Sequence, residues 1–231
     1  MAIQLYDLAG ADSSIRFSPY CWRVQMALAH KGLETETVPV RFGEKEKIAF
    51  SGQKLVPVLR DGSQVVCDSW DIGLYLDKTY PDRPALMDGE HARSICNFFR
   101  HWAQMRIGPA IMRLVLLDIL DACADADKEY FRSSRETRFG MKLEEFVLPE
   151  GEGRKNLASE LAPLRETLAA QAYIHGGEPA FADYILFGAF MWARGVSARR
   201  ILETDDPVHG WRERMLDLFG GLARNAPGVG A

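Results

Sequence analysis

Phe17-Ser18-Pro19-Tyr20-Cys21-Trp22-Arg23-Val24 opens a helix. Val24, Ala27 and Leu28 carry it on with apolar residues at helical spacing, and Gly32 stops it just past its last turn. Ser18 is then the N-cap and Pro19 the first helical residue, where a missing N–H costs nothing. Upstream, Ile3 to Leu8 reads as a strand and Ala9 to Arg16 as a small-residue, polar loop. Downstream, Thr35-Glu36-Thr37-Val38-Pro39-Val40 reads as a second strand, so the order calls for a βαβ unit with parallel strands. A hydroxyl at the mouth of a helix N-terminus can hold an anion. The same hydroxyl serves as an ordinary helix cap, and this stretch alone does not choose between the two roles.

Residues 41–53 are polar, with a short helix expected around Glu44–Phe50. Two β runs, Leu55 to Arg60 and Gln64 to Asp68, flank a short Asp-Gly-Ser loop and predict a hairpin. Asp68-Ser69 then opens a helix over Trp70–Tyr80, with Ile72, Tyr75 and Leu76 on one face. Pro57 does not fit a central strand, because it removes a ladder donor. A cis Val56–Pro57 bond would keep the strand and turn the Val56 N–H and C=O toward open space.

The 231 residues are 47% hydrophobic and 26% charged, ordinary for globular proteins. The net charge of −4, with the signs interspersed, leaves no basic footprint for nucleic acid. No apolar run approaches the ~18 residues of a membrane span, and no signal-like segment precedes the first strand. The expected location is therefore the cytoplasm. Cys21, Cys67, Cys96 and Cys123 show no CxxC spacing and no pattern with the five histidines. Neither a disulfide framework nor a metal site is expected.

Pro81 to Gly89 is rich in Pro, Gly and charge and fits a linker. Beyond it the chain reads as helices. An apolar-striped segment from Glu90 to about Cys123 should kink or break at Gly108-Pro109. Two amphipathic helices, Asp127–Leu148 and Leu157–Tyr173, are expected on either side of a Gly151-Glu152-Gly153 turn. Phe181 to Ala193 is nearly all apolar and belongs in the middle of the bundle. Asp206-Pro207 starts a last helix to about Leu222.

A strand, a Ser-Pro helix start, a Val-Pro-Val run and an Asp-Ser helix start, followed by a helical half, resemble the cytosolic glutathione transferases over the whole chain. More narrowly, Ser18-Pro19-Tyr20-Cys21-Trp22-Arg23 and the tail Leu202 to Pro207, running into Trp211 to Leu216, are similar to the bacterial lignin β-etherases and related fungal glutathione transferases. The resemblance implies an α/β thioredoxin-like domain (βαβ-ββα, mixed four-stranded sheet) over 1–81. A linker over 82–89 and an all-α helical-bundle domain over 90–231 complete the chain. It implies glutathione as co-substrate, activated as a thiolate by Ser18, with Ser14 and then Ser13 as second choices. Cys21 would instead imply thiol transfer through mixed disulfides, but it stands three residues beyond the place where such branches put their cysteine.

Glutathione itself would pair with Val56 before Pro57 and set its γ-glutamyl end on Asp68 and Ser69. Its glycyl carboxylate would meet Lys54, with Gln53 and Arg41 behind. Leu55 departs from the Lys or Gln found there in several branches, and Ala180 replaces the Ser or Thr that usually caps the central helix. The second substrate, a hydrophobic aromatic electrophile or a β-aryl ether, would lie near Tyr20, Trp102, Met105, Arg106 and Trp192. A homodimer follows by analogy. The alternatives are a non-catalytic ligand-binding protein on the same fold, and a glutathione-dependent isomerase of a sister branch whose loop reads Ser-Ser-Cys-Trp-Arg.

Overall fold

The computed structural model describes residues 2–230. Strand β1 (Ile3–Leu8), helix α1 (Pro19–His30) and strand β2 (Thr35–Val40) come first. A 3-10 helix (Lys45–Ser51), strands β3 (Val58–Asp61) and β4 (Gln64–Cys67) and helix α2 (Ser69–Thr79) complete the α/β half. The sheet is mixed, in the order β2-β1-β3-β4. β1 runs parallel to β2 from Ile3↔Thr35 to Leu8↔Val40, and antiparallel to β3 with Tyr6 opposite Val58. β3 and β4 form the expected hairpin. Pro39 is tolerated because β2 is an edge strand.

Strand alternation divides the burial between the two faces. Ile3, Leu5 and Leu59 pack with Val24, Leu28, Ile72 and Leu76 in the main core, beneath α1 and α2. Tyr6 and Val58 face the other way and are covered by Ile48 of the 3-10 helix. Val56–Pro57 is cis. β3 begins at Val58 rather than at Leu55, since Pro57 has no N–H to give the ladder.

The helical half contains α3 (Gly89–Trp102), a π-helical turn (Ala103–Ile107), α4 (Gly108–Ala122) and α5 (Asp125–Phe139). After these come a short α6 (Leu143–Phe146), α7 (Glu150–Glu160), α8 (Ala162–Ala170), α9 (Phe181–Val196) and α10 (Pro207–Gly221). The kink expected at Gly108-Pro109 takes the form of the π turn before it, and Gly108 itself is helical (φ −58°, ψ −49°). A wider i→i+5 turn accommodates the proline's missing donor without breaking the rod.

Two boundaries differ from expectation. Asp127–Leu148 is not one helix: α5 stops at Gly140, whose positive φ of 69° suits glycine as the residue after a helix. Gly151-Glu152-Gly153 lies inside α7 rather than in a turn, and a Cβ on Gly153 would stand 2.5 Å from the Leu114 side chain. Close packing against α4, not a chain reversal, accounts for glycine there. The Leu157–Tyr173 segment likewise divides, between α7 and α8.

The segment between α2 and α3 is pinned. Asp77 accepts the Leu86 and Met87 N–H groups at 2.8 and 2.9 Å and pairs with Lys31 Nζ at 2.6 Å. Lys31 is 1% exposed and Asp77 18%, so the pair is largely but not wholly shielded from water. α9 runs through the centre, and Asp183 at its start offsets the missing cap at Ala180. Its carboxylate accepts N–H groups of Ile174 (2.8 Å), Ala180 (3.1 Å) and His175 (3.3 Å) and the Trp211 indole N–H (2.9 Å). No helix among the described residues is long and apolar enough to cross a membrane.

Candidate active site

Ser18 is in extended conformation (φ −64°, ψ 123°) ahead of Pro19, the geometry of an N-cap. Its Oγ accepts the Cys21 N–H at 3.2 Å. Among the described residues the hydroxyl donates to no oxygen or nitrogen of the chain, and its one other polar neighbour is the Cys21 sulfur, a weak acceptor while the thiol stays protonated. The residue is 3% exposed and lines a cleft of about 310 Å³ between the two halves. The positive end of α1 faces that cleft.

α1 is held in place by α9. At Gly188 the backbones come so close that a Cβ would stand 2.2 Å from the Pro19 carbonyl oxygen. At Gly195 a Cβ would stand 2.8 Å from the Phe17 Cβ. Only glycine permits either approach, and together they set the height of the Ser18 turn against the helical half.

The cleft is aromatic and cationic. Phe17, Tyr20, Phe42, Tyr130, Phe131, Phe139 and Trp192 contribute rings. Arg23, Arg41, Lys45, Lys54, Arg135 and Arg138 contribute charge, and no Asp or Glu lines it. Arg23 lies almost fully buried over the Tyr20 ring at 4.6 Å and donates to the Ile185 carbonyl at 3.3 Å. Burial lowers it to about 10, while Tyr20 and Asp68 nearby favour its charged form. Lys45 reaches across the cleft from the first half and donates to the Tyr130 hydroxyl at 2.9 Å, which lowers that phenol's pKa.

The residues picked from sequence fall into two groups. Ser18, Tyr20, Lys54, Leu55, Val56, Arg41 and Trp192 all line the cleft. Val56 stands outside every strand ladder, and its N–H and C=O take part in no loop or turn hydrogen bond among the described residues. Asp68 and Ser69 open α2 beyond the cleft lining. Asp68 accepts the Trp70 N–H at 2.8 Å and adopts φ 72°, ψ 135°, a region costly for a side chain and often found at ligand sites. Ser69 is buried.

Ser14 is exposed, and its hydroxyl donates to Asp12 at 2.8 Å, away from the cleft. Ser13 and Gln53 are exposed and outside the lining too. Trp102, Met105 and Arg106 also lie outside it. Trp102 packs on Phe99, Met105 is exposed, and Arg106 makes a two-bond pair with Glu160 at 2.7 and 2.8 Å. The π turn is the reason: its wider turn re-phases the helix, so that Ala103, Gln104, Pro109 and Met112 face the cleft instead.

Cys21 is fully buried, and burial, then the neighbouring Asp7 charge, push its thiol well above the ordinary range. A thiol held protonated in the core does not suit mixed-disulfide chemistry. The α5 wall was not anticipated. Phe131, Arg135, Arg138 and Phe139 recur at i, i+4, i+7 and i+8, a one-face signal present in the sequence. Among the described residues no group of three or more His, Cys, Asp and Glu side chains is placed to hold a metal.

Comparison with known proteins bears on this arrangement. The family model described as "Glutathione S-transferase, C-terminal domain" matches residues 95–219, more than half of the chain, and "Glutathione S-transferase, N-terminal domain" matches 13–90. Glutathione S-transferase Z1 of Arabidopsis thaliana is 38% identical over 78 residues, covering 32% of this chain and 35% of that protein. The matches to such curated relatives thus span about a third of their length. Glutathione transferase GSTFuA3 of Phanerochaete chrysosporium has a similar structure (TM-score 0.77), 28% identical over 96% of this chain and 92% of that one. A glutathione S-transferase of Ceriporiopsis subvermispora, solved in complex with glutathione, superposes with a TM-score of 0.80 at 24% identity, covering 95% of this chain and 96% of that one. With both domain models matched in order on the fold they describe, this chain belongs to the cytosolic glutathione S-transferase family.

Proposed function

We propose that the protein is a glutathione transferase in which Ser18 stabilises the glutathione thiolate for attack on a hydrophobic aromatic electrophile. The observation that carries this reading is the Ser18 hydroxyl, with no oxygen or nitrogen acceptor among the described residues, on the positive end of α1 in the wall of an aromatic cleft. An unperturbed thiol with a pKa of ~8.5 is about 3% ionised at pH 7. Lowering it to ~6.5 takes about 2.7 kcal/mol of preferential anion stabilisation. A hydroxyl donating to a charged sulfur contributes ~1.5–3 kcal/mol and a helix N-terminus ~0.3–1, so no general base is required.

The peptide would pair with the free Val56 backbone as a short added strand. Its γ-glutamyl ammonium would meet Asp68, its γ-glutamyl carboxylate the Ser69 hydroxyl and the N–H groups at the start of α2, and its glycyl carboxylate Lys54 and Arg41. In a β-aryl ether, the thiolate would form a C–S bond at the carbon bearing the ether while the C–O bond breaks. The phenolate leaves and takes a proton from water. The resemblance to β-etherases is the support for that finer substrate class. A homodimer is part of the same reading, favoured by Ile95 and Phe98, which stand exposed one turn apart on α3. Sedimentation showing only monomer at micromolar concentration would remove it. The cytoplasm is the proposed location, by family resemblance, and cell fractionation checks it.

Calorimetry with glutathione tests the binding. Turnover of a chlorodinitrobenzene tests the chemistry: Ser18→Ala should lose it while still binding glutathione. Unchanged turnover in that variant would dismiss Ser18 as the thiolate donor. Glutathione binding with no turnover of any electrophile or aryl ether would leave a ligand-binding protein.

A further inference from the structure

We infer that the α5 wall of the cleft is a subsite for a negatively charged group on the second substrate, so that the preferred electrophile is an aromatic acid or phenolate rather than a neutral aromatic. This rests on the glutathione-transferase reading and names the substrate class for it. The anchor is Arg135. Its guanidinium lies over the rings of Phe131 (4.6 Å) and Phe42 (5.4 Å) in the cleft lining. Its one side-chain hydrogen bond goes to the Ser134 hydroxyl at 2.9 Å. Among the described residues no carboxylate stands within ion-pair distance of it, and Arg138, one turn on, is also without an acidic partner.

The rest of the helix shows that this is not a shortage of acids. Arg132, one turn earlier but on the outer face, is paired with both Glu136 and Glu144, at 3.1 and 2.9 Å. Glu136 and Glu144 thus serve the outer face. The one buried acid of α5, Asp127, stands two turns before Arg135 beside Gly43, outside the cleft lining and without an ion pair to it among the described residues, which leaves the cleft face cationic. Burial of Arg135 disfavours its charged form, so an incoming anion would relieve a cost already present. A planar guanidinium held against two adjoining rings is also pre-oriented for a carboxylate, which it can bind through two parallel N–H donors.

Glutathione does not use up this charge in the proposed arrangement. Its glycyl carboxylate lies along the Val56 edge, where the first half supplies Arg41 and Lys54. Arg135 and Arg138 face the same cleft from the helical half, with Phe139 and Trp192 to stack on an aromatic ring. The ring and the charge of an aromatic acid therefore each meet a matching partner on one wall.

The test is calorimetric titration of the glutathione-loaded protein with a nitrobenzoate and with the matching nitrobenzamide, which needs no turnover. The wild type should bind the benzoate more tightly. Arg135→Gln should weaken benzoate binding by about tenfold or more, as expected for loss of a charge-assisted hydrogen bond, and leave the benzamide unchanged. Arg138→Gln, which leaves the Phe42 and Phe131 stack intact, should weaken the benzoate by a smaller factor and guards against a folding defect in the first variant. Equal affinity for the two ligands in the wild type, or equal losses in the variants, would overturn the subsite. Loss of glutathione affinity in Arg135→Gln would also overturn it, by assigning that arginine to the glycyl carboxylate. Failure of the transferase reading would appear separately, as no glutathione heat in the wild type.

Discussion

Replacing Asp7 with asparagine should favour the folded protein increasingly as the pH rises. Asp7 lies in the middle of β1, on the face covered by α1, and is fully buried. One carboxylate oxygen accepts the Gln25 side-chain N–H at 2.5 Å, and the other has no hydrogen-bond partner. Burial is the largest influence and pushes the carboxyl up to about 6, against smaller opposing pulls from the Cys21 thiol, the Arg16 charge and Gln25. An acid whose folded pKa is raised keeps its proton in the native state at pH values where the unfolded chain has lost it. Stability therefore falls as pH rises through the window from about 4 to about 6, and the loss is complete above it.

A rise of about two pKa units corresponds to a cost on the order of 3 kcal/mol once the group is ionised. Asparagine keeps the shape and can still serve Gln25, but carries no charge to bury. By the same linkage relation, the stability of Asp7→Asn relative to the wild type should rise with pH by on the order of 3 kcal/mol up to pH 8, about half of it by pH 5. It rises from a low-pH baseline that the unpartnered amide N–H groups set below the wild type by about 1–3 kcal/mol. Urea denaturation followed by tryptophan fluorescence, at steps across that range, measures the difference directly. The diagnostic is the slope of the difference with pH rather than its size at any one point. Parallel stability curves for the two proteins would refute the reasoning, because they would mean that Asp7 titrates alike in the folded and unfolded chains.

Three further outcomes follow from named contacts. Ser18→Ala should cost about 1 kcal/mol of stability through the lost cap and raise the apparent pKa of bound glutathione by about 1–2 units, read from thiolate ultraviolet absorbance against pH. Gly188→Ala should lower the melting temperature, at a cost of about 1–3 kcal/mol, because its methyl would meet the Pro19 carbonyl rather than a movable side chain. Lys31→Met should lose about 1–3 kcal/mol in urea denaturation, since it leaves the partly buried Asp77 carboxylate with only the Leu86 and Met87 N–H groups to balance its charge.

The α/β half was legible because its signals are local and concordant. The Ser18-Pro19 start, the Gly32 stop and the loop between β3 and β4 each demand a particular backbone, and Pro57 can be reconciled with the strand next to it in few ways. The helical half was legible only as helices. Amphipathic periodicity says that a face is buried but not against what, so Gly151-Glu152-Gly153 read as a turn when Gly153 is needed for the approach of Leu114. The same limit explains the miss at Trp102, Met105 and Arg106. Their spacing suited a regular helix, and a one-residue widening in the π turn carried them off the cleft. Arg135 and Arg138 were passed over for a related reason: arginines on an amphipathic helix read as solvated until their missing partners and stacked rings are seen.

The position of Ser18 belongs to neither half alone. Its cap geometry is local, written in Ser18-Pro19 and reproducible by any helix that starts so. Its place in a cleft is not, because the opposite wall is built by α4, α5 and α9. The contacts that relate the two, Gly188 on the Pro19 carbonyl and Gly195 on Phe17, flank the serine on both sides in sequence. Any rotation of α9 would therefore move Phe17 and Pro19 together and take the hydroxyl with them. Side-chain contacts at those points would yield by rotamer changes, whereas backbone contacts at van der Waals distance leave almost no slack. The hydroxyl is thus aimed by close packing across the interface between the halves. Two glycines in the most apolar helix of the chain, remote in sequence from the Ser18 turn, are part of what makes that serine a candidate thiolate donor rather than only a cap.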